Sequence, residues 1–392
     1  MQGLENDYLY EFDVVIVGAG FFGLTLAYEI STRSKLRVIV LDKRSHLGGN
    51  AYSYTDPTTN IEIHKYGSHL FHTSNKRVWD FVNQFDQFNS YIHTVKTIYR
   101  NQVFPMPINL QTISQFVGKY LDPKEAREWI EIERGSLTHT PKNLEEQAIK
   151  LIGKTLYNAL IKGYTLKQWA TNPVDLPSEI ISRIPIRYNF NDRYFSDKYE
   201  GLPVSGYGHL FENMRHSGNF EVYLNYDFNP AEHQISRFNK LIYTGPIDRF
   251  FAYRHGVLGW RTLDFEEETL PINDFQGTSV MNFAEHNIPY TRIHEFKHLH
   301  PERTQSETST VIFKEYSRFA GKDDEPYYPI NSELDRDMLL LYRSDAAQLA
   351  NVVFGGRLGR YQYLDMHMAI ASALSIADDL IAKNNFSAES NT

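Results

Sequence analysis

The chain has 392 residues, 40 Lys and Arg against 48 Asp and Glu, a formal net charge of −8, and 42% hydrophobic residues that include 26 Tyr and 25 Phe. This balance argues against a nucleic-acid partner, which needs a basic field over the binding face. The lack of any cysteine excludes disulfides, thiolate metal ligands and cysteine nucleophiles, and suits a reducing cytoplasm. At about 150 residues per domain the length predicts two or three domains, with aromatic surface to spare for a ligand cleft.

The N-terminal stretch MQGLENDYLYEFD has neither a basic start nor an apolar core, so no secretory signal is expected. The longest apolar run, Val14 to Ala27, contains three glycines and falls short of the roughly 20 residues a membrane span requires. The chain therefore reads as soluble. Val14 to Val17 reads as a strand, Gly18-Ala19-Gly20 as a turn, Leu24 to Ile30 as a helix and Val38 to Leu41 as the next strand, with Asp42 closing the unit 19 positions after Gly23. In this frame Gly18 permits the turn, Gly20 lets the backbone approach a pyrophosphate, and Gly23 allows close helix–strand packing. The helix start offers N–H groups to phosphates, and Asp42 accepts from a ribose. The alternative, a glycine-rich turn without a ligand, is disfavoured by the complete strand–helix–strand frame ending in an acid.

Gly48-Gly49-Asn50 follows Asp42, and then HKYGSHLFHT places three histidines in ten residues, His64 to Thr73. No carboxylate or thiol cluster accompanies them, so zinc is disfavoured, and His64 and His72 read as packing residues. Tyr91 to Phe104 predicts a hairpin turning at Asn101-Gln102. Leu110 to Lys167 predicts a helical insert, with starts at Asp122-Pro123 and Thr140-Pro141. TNPVDLPSEIISRIP, residues 171–185, reads as a loop or lid. Strands are expected from Gly259 to Glu315. Within them His294 to His298 matches HExxH, but that motif binds zinc only on a helix, and a strand-like stretch with Pro301 close behind disfavours it. Finally VVFGGRLGRYQYLDMHMAIASAL predicts a strand, a glycine pair and a helix starting near Asp365, a second turn of the kind at Gly18. The polar tail after Asn384 is expected to fray.

GAGFFG, LGGNAY, HKYGSHLFHT, KGYTLKQW, FNDRYFSDKYEGLP, PYTRIHE, EPYYPIN and GGRLGRYQYLDMH together closely resemble the UDP-galactopyranose mutase family over nearly the whole chain. The resemblance implies an α/β fold with a Rossmann-like FAD-binding domain (1–84, 203–248 and 335–392). Into it are set a helical domain with a mobile lid (109–185) and an antiparallel sheet domain (85–108, 186–202 and 249–334). It also implies a homodimer activated by NAD(P)H or another reductant, and the charge, the lack of cysteine and the short apolar runs add the expectation of a cytoplasmic protein that binds no nucleic acid or membrane. The implied reaction interconverts UDP-galactopyranose and UDP-galactofuranose through attack of reduced flavin N5 on the anomeric carbon, for cell-surface glycans. The flavin then carries the covalent chemistry, so no Ser-His-Asp triad or glycosidase carboxylate pair is required.

By the same resemblance FAD is held by Gly18, Gly20, Phe22, Gly23, Asp42, Lys43, Gly49, Asn50, His69, Arg357, Asp365 and Met366. His69 lies on the reactive side of the flavin ring, and Gly67 allows the main chain to pass close to it. Asp365 is placed as a helix cap that binds the ribityl or phosphate region. The substrate is assigned Tyr164 to stack on uracil, Trp169 to close with the lid, Arg183 and Arg292 to grip the diphosphate, and Tyr194, Tyr328, Tyr363 and Asn282 as polar contacts. Arg183, Arg292 and His69 form the catalytic set, and no metal is expected. A guanidinium suits diphosphate because it forks onto oxygens and stays charged, and tyrosine combines an apolar wall with a neutral donor. One turn before Tyr164 the family has an aromatic where this chain has Leu160, an aliphatic face that can still cover a base. The competing reading is a conventional FAD-dependent oxidase or dehydrogenase of a small molecule, in which substrate would reduce the flavin.

Overall fold

The computed structural model describes residues 6–135, 139–181 and 185–389. In chain order the strands used below are β1 (Val14–Val17), β2 (Val38–Leu41), β3 (Val95–Tyr99), β4 (Gln102–Met106), β5 (Glu221–Tyr223), β6 (Leu241–Tyr243), β7 (Trp260–Leu270), β8 (Val280–Phe283), β9 (Arg292–Glu295), β10 (Thr310–Phe319), β11 (Tyr328–Pro329) and β12 (Val352–Phe354). The helices are α1 (Phe21–Arg33), α2 (Leu110–Val117), α3 (Pro123–Arg134), α4 (Leu144–Ile152), α5 (Lys162–Trp169), α6 (Tyr207–Ser217), α7 (Glu333–Ala346) and α8 (Met366–Glu389).

β1, β2, β5, β6 and β12 form a five-stranded sheet in the order β12-β6-β1-β2-β5, parallel throughout. The run VIVL of β2 is buried at every position, as a strand covered on both faces must be. α1 and α8 cover one face. Leu24, Ala27 and Ile30 of α1 share a core with Ile370, Ala373, Leu374 and Ala377 of α8, and with Tyr207, Leu210 and Phe211 of α6. Phe211 packs edge-on against Phe21 at 4.6 Å. α1 starts at Phe21, three residues before the first apolar position that spacing predicts, because Phe21 and Phe22 are themselves core residues, 5% and 4% exposed.

The second sheet runs β11-β7-β10-β9-β8-β3-β4. β7 and β10 pair antiparallel over ten residues, from Arg261↔Phe319 to Leu270↔Thr310. The predicted hairpin is β3–β4, but it turns at Arg100-Asn101, one residue earlier than expected. Both turn residues have positive φ, 49° and 58°, the twist that a two-residue hairpin needs.

The helices of the insert pack on the second sheet, sharing a core with its Val95, Phe104 and Val280. Asp122 caps α3 by accepting from the Lys124 and Glu125 N–H groups, with Pro123 in the first turn, as the sequence predicts. α4 instead begins at Leu144 with Asn143 as its cap, not at Thr140-Pro141. Asn143 accepts from Glu146 N at 2.9 Å, and the Leu144 N–H is tied to the Leu176 carbonyl at 2.9 Å. A π-helical turn, Tyr157–Ile161, leads into α5. Residues 171–181 form a loop with short 3-10 turns at Pro173–Asp175 and Ser178–Ile180. The backbone of α8 is helical to Glu389, and the last three residues of the tail expected to fray lie outside the described residues. Among the described residues no helix is long and apolar enough to cross a membrane.

Candidate functional site

A cleft of about 2460 Å³ opens where the two sheets meet. Val17, Leu41 and Tyr243, at the carboxyl ends of β1, β2 and β6, form its floor, and Thr97, Asn282, Arg292 and Glu315, from β3, β8, β9 and β10, form the facing wall. Open α/β sheets bind ligands at this end of their strands.

Every residue the sequence assigns to the cofactor lines this cleft: Gly18, Gly20, Phe22, Gly23, Asp42, Lys43, Gly49, Asn50, His69, Arg357, Asp365 and Met366. The turn after β1 is held from below. The Asp42 carboxylate accepts from Ala19 N at 2.7 Å and from Arg44 N at 2.9 Å, and Gly48 N donates to Ala19 O at 2.8 Å. Gly18 stands at φ 111°, and a Cβ there would lie 1.8 Å from Thr244 Oγ1, so only glycine fits. Gly20 differs: a Cβ on it would find nothing nearer than Gly49 Cα at 4.0 Å, and Gly20 caps α1 with no side-chain hydrogen bond to the helix start. The structure thus leaves an open cradle beneath free N–H groups and the positive end of the helix dipole, which fits a pyrophosphate. Arg44 braces the cradle's rim, donating to Asn50 Oδ1 at 2.7 Å and to Glu325 Oε2 at 2.9 Å. Glu325 also pairs with Lys43 at 2.5 Å.

The histidine-rich loop also lines the cleft, through Gly67, Ser68 and His69. Gly67 has φ 85°. His69 Nδ1 donates to the Gly67 carbonyl at 2.8 Å, which leaves Nε2 as the acceptor. Burial, against the pull of that hydrogen bond, lowers the His69 pKa from 6.5 to about 4, so the ring is neutral near pH 7. His64 is core: its Nδ1 accepts from His69 N at 3.0 Å and it packs on Tyr207 and Phe296. His72 pairs with Asp197 at 2.6 Å and stacks on Phe195 at 3.6 Å. In the HExxH match His294 is on strand β9 and His298 in a 3-10 turn, so no helical face joins them. His294 instead binds Ser68 Oγ at 2.8 Å and Glu315 Oε2 at 3.0 Å.

Across the cleft Tyr164, Trp169, Tyr194, Asn282, Arg292, Tyr328 and Tyr363 all line the wall. The Arg292 Nη2 donates to the Tyr164 hydroxyl, and its Nε lies 3.3 Å from Glu315 Oε1. Burial pushes the Glu315 carboxyl up, but Arg292, His294 and Thr291 outweigh it and hold the pKa at about 2. Tyr328 and Tyr363 stack at 6.1 Å. Asn282 Oδ1 is buried without a hydrogen-bond partner among the described residues. Leu160, carried by the π-helical turn, is 2% exposed and reaches the cleft beside Tyr164. Val174 and Leu176 of the expected lid also line it. Arg183 lies outside the described residues. Sequence reasoning missed Glu315, Arg44 and Ser68. Each sits within a recognised motif or strand, but only the fold shows that it braces an assigned residue.

Comparison with known proteins places this arrangement among others. The family profile described as UDP-galactopyranose mutase matches residues 159–363, and that of the NAD(P)-binding Rossmann-like domain matches residues 16–85. The chain is 43% identical over 370 residues to a "Probable UDP-galactopyranose mutase" of Klebsiella pneumoniae, covering 94% of this chain and 95% of that protein. It is 38% identical over 376 residues to the dTDP-fucopyranose mutase of Escherichia coli, covering 95% and 99%. A crystal structure of reduced UDP-galactopyranose mutase superposes with a TM-score of 0.76 at 14% identity, over 95% of this chain and 94% of that one, a likeness of fold.

Gly20 has φ −80° and ψ −177°, a conformation open to any residue. Gly20→Val should therefore fold normally yet lose FAD affinity by on the order of tenfold, in line with the ~1–3 kcal/mol of an overpacked site. Flavin absorbance per mole of purified protein measures this, and wild-type flavin content would contradict the cradle. The buried histidines generate a second expectation. His69, at about 4, and His93, lowered by burial to about 3, bind fewer protons folded than unfolded. Stability present above the unfolded value of about 6.5 is therefore lost as pH falls toward those lower values. Melting temperatures should drop steadily from about pH 6.5 to about pH 4; a flat profile would show that these rings are not buried neutral.

Proposed function

The chain belongs to the UDP-galactopyranose mutase family, and on that premise we propose that it interconverts UDP-galactopyranose and UDP-galactofuranose with no net redox change. One observation carries this reading: the glycine cradle, His69 and the Arg292–tyrosine wall line a single cleft. In the proposed reaction bound, reduced FAD supplies the nucleophile, flavin N5, for the anomeric carbon. The chain's own residues do the rest. Gly18, Gly20, Gly23, Gly49 and Asn50 hold the cofactor's diphosphate end, and Arg357, Asp365 and Met366 hold its other portion.

Arg292 binds the UDP diphosphate, the leaving group, and stabilises the charge that develops on it. Glu315 and Tyr164 fix the guanidinium in advance, so little reorganisation is left for the reaction itself. Tyr194, Tyr328 and Tyr363 donate neutral hydrogen bonds to the same phosphates, and Arg183 adds a second cation from the lid. Tyr164 and Leu160 cover the two faces of the base. His69, neutral and with Nε2 free to accept, takes a hydrogen bond beside the reacting centre without adding charge. A lid over Val174 to Ile181 keeps water out while UDP is detached. We further propose that the enzyme works as a cytoplasmic homodimer, activated by NAD(P)H or another reductant, and supplies galactofuranose for cell-surface glycans.

The test is turnover of UDP-galactofuranose by the FAD-loaded protein, separated by chromatography, in the dithionite-reduced and oxidised states, with dTDP-fucopyranose as a competing substrate. UDP-galactopyranose should form in the reduced state only, and anaerobic substrate should leave the flavin's redox state unchanged. Flavin reduction by substrate would favour an oxidase, and faster conversion of dTDP-fucopyranose would move the substrate. Arg292→Ala should lower kcat/KM by about 10²–10³-fold, equivalent to ~2.7–4 kcal/mol; wild-type turnover would remove Arg292 from the site.

A further inference from the structure

Arg261, on β7, is 0% exposed, yet its guanidinium faces no carboxylate among the described residues. Its Nε donates to the Gln168 carbonyl at 2.9 Å, and its Nη2 donates to Ser317 Oγ at 3.1 Å. Ser317 Oγ in turn donates to the same Gln168 carbonyl at 2.7 Å. The guanidinium carbon lies 4.5 Å from the Phe319 ring centroid. Nη1 is buried with no hydrogen-bond partner among the described residues, and burial lowers the pKa from 12.5 to about 10. A buried charge without a counter-ion costs stability, and replacing such groups by apolar ones of similar volume often stabilises a fold.

What this cation holds is the end of α5. Gln168 is the penultimate residue of that helix, where the carbonyls are unpaired and the dipole is negative. The helix then stops at Ala170 in the left-handed region, φ 48°. Two other ties press α5 on the same sheet. Lys167 Nζ donates to the Phe283 and Tyr290 carbonyls at 2.7 and 2.8 Å, and Gly163 lies so close that a Cβ would meet Ala284 O at 2.3 Å. Tyr164, Gln168 and Trp169 all present themselves to the cleft from this helix.

We propose that Arg261 is a positioning residue for nucleotide binding: its buried charge locks the last turn of α5 to the second sheet, so that the base-facing wall is formed before the nucleotide arrives. This rests on the proposed nucleotide site. Its signature is a divergence between stability and binding. In the FAD-loaded protein, Arg261→Met should keep or raise the melting temperature while weakening UDP affinity by isothermal titration roughly tenfold, the worth of a hydrogen bond from a charged donor. Arg261→Lys, which keeps a donor, should restore part of that loss. Unchanged affinity in Arg261→Met, or a loss of affinity accompanied by a lower melting temperature, would overturn the proposal. Should Arg261→Met fail to fold, Ser317→Ala removes the bridging hydroxyl alone; weaker UDP binding at an unchanged melting temperature supports the lock, and unchanged binding refutes it. A wild-type protein that binds FAD but shows no heat with UDP would instead sink the nucleotide reading itself.

Discussion

A helix start that has no side-chain cap must give its N–H groups to something, and the start of α1 is left in that state at the bottom of a cleft. The constraint is built by Asp42. Its carboxylate spends both oxygens on the backbone of Ala19 and Arg44, which fixes the turn while keeping the Gly20 side open. The fold around it follows from that placement. The parallel sheet delivers β1, β2 and β6 to one edge, α8 and α6 support α1 from behind, and Gly49 closes on Gly20. The outcome is a rigid positive-ended cradle, suited to the anionic part of a dinucleotide.

The second sheet answers with a wall whose charge is prearranged. Arg292 projects from β9, but its position is set by Glu315 on the neighbouring strand and by Tyr164 from α5. Glu315 is nearly buried, so it remains ionised only because Arg292, His294 and Thr291 surround it. His294 connects this cluster to Ser68 in the histidine-rich loop that lines the cleft. A continuous set of polar contacts therefore runs from the histidine loop to the arginine. Few of its members are free to reorient, which favours a site shaped for charge developing on a leaving group over one that adapts to it.

Much of this is legible in the chain itself. Parallel strands show as the unbroken runs VVIV and VIVL, the turns as glycines with a steric reason, and Asp122-Pro123 as a helix start whose chemistry is local. The misses arise where tertiary contacts outweigh local preference. Asn143 wins the cap of α4 over Thr140 because the Leu144 N–H is tied to the lid loop at Leu176. The hairpin turns one residue early because β3 and β4 pair in the register that buries Val95 opposite Met106. Arg261 gives no sign of burial in GWRTLDF, where an arginine in a strand reads as an exposed position. Glu315 likewise reads as an ordinary strand residue. Their roles depend on what other elements bring to them, which spacing along one strand cannot reveal. The HExxH match shows the converse: four letters fit, and the strand beneath them removes the meaning.

The cradle and the tyrosine–arginine wall line one cleft, so a nucleotide bound on the second must be felt by a flavin bound on the first. Titrating UDP into the FAD-loaded protein while recording the flavin's visible difference spectrum measures this directly. The spectrum should change and saturate at one equivalent of UDP per flavin. A protein that binds UDP by calorimetry while its flavin spectrum stays unchanged would place the two ligands in separate sites and contradict the account.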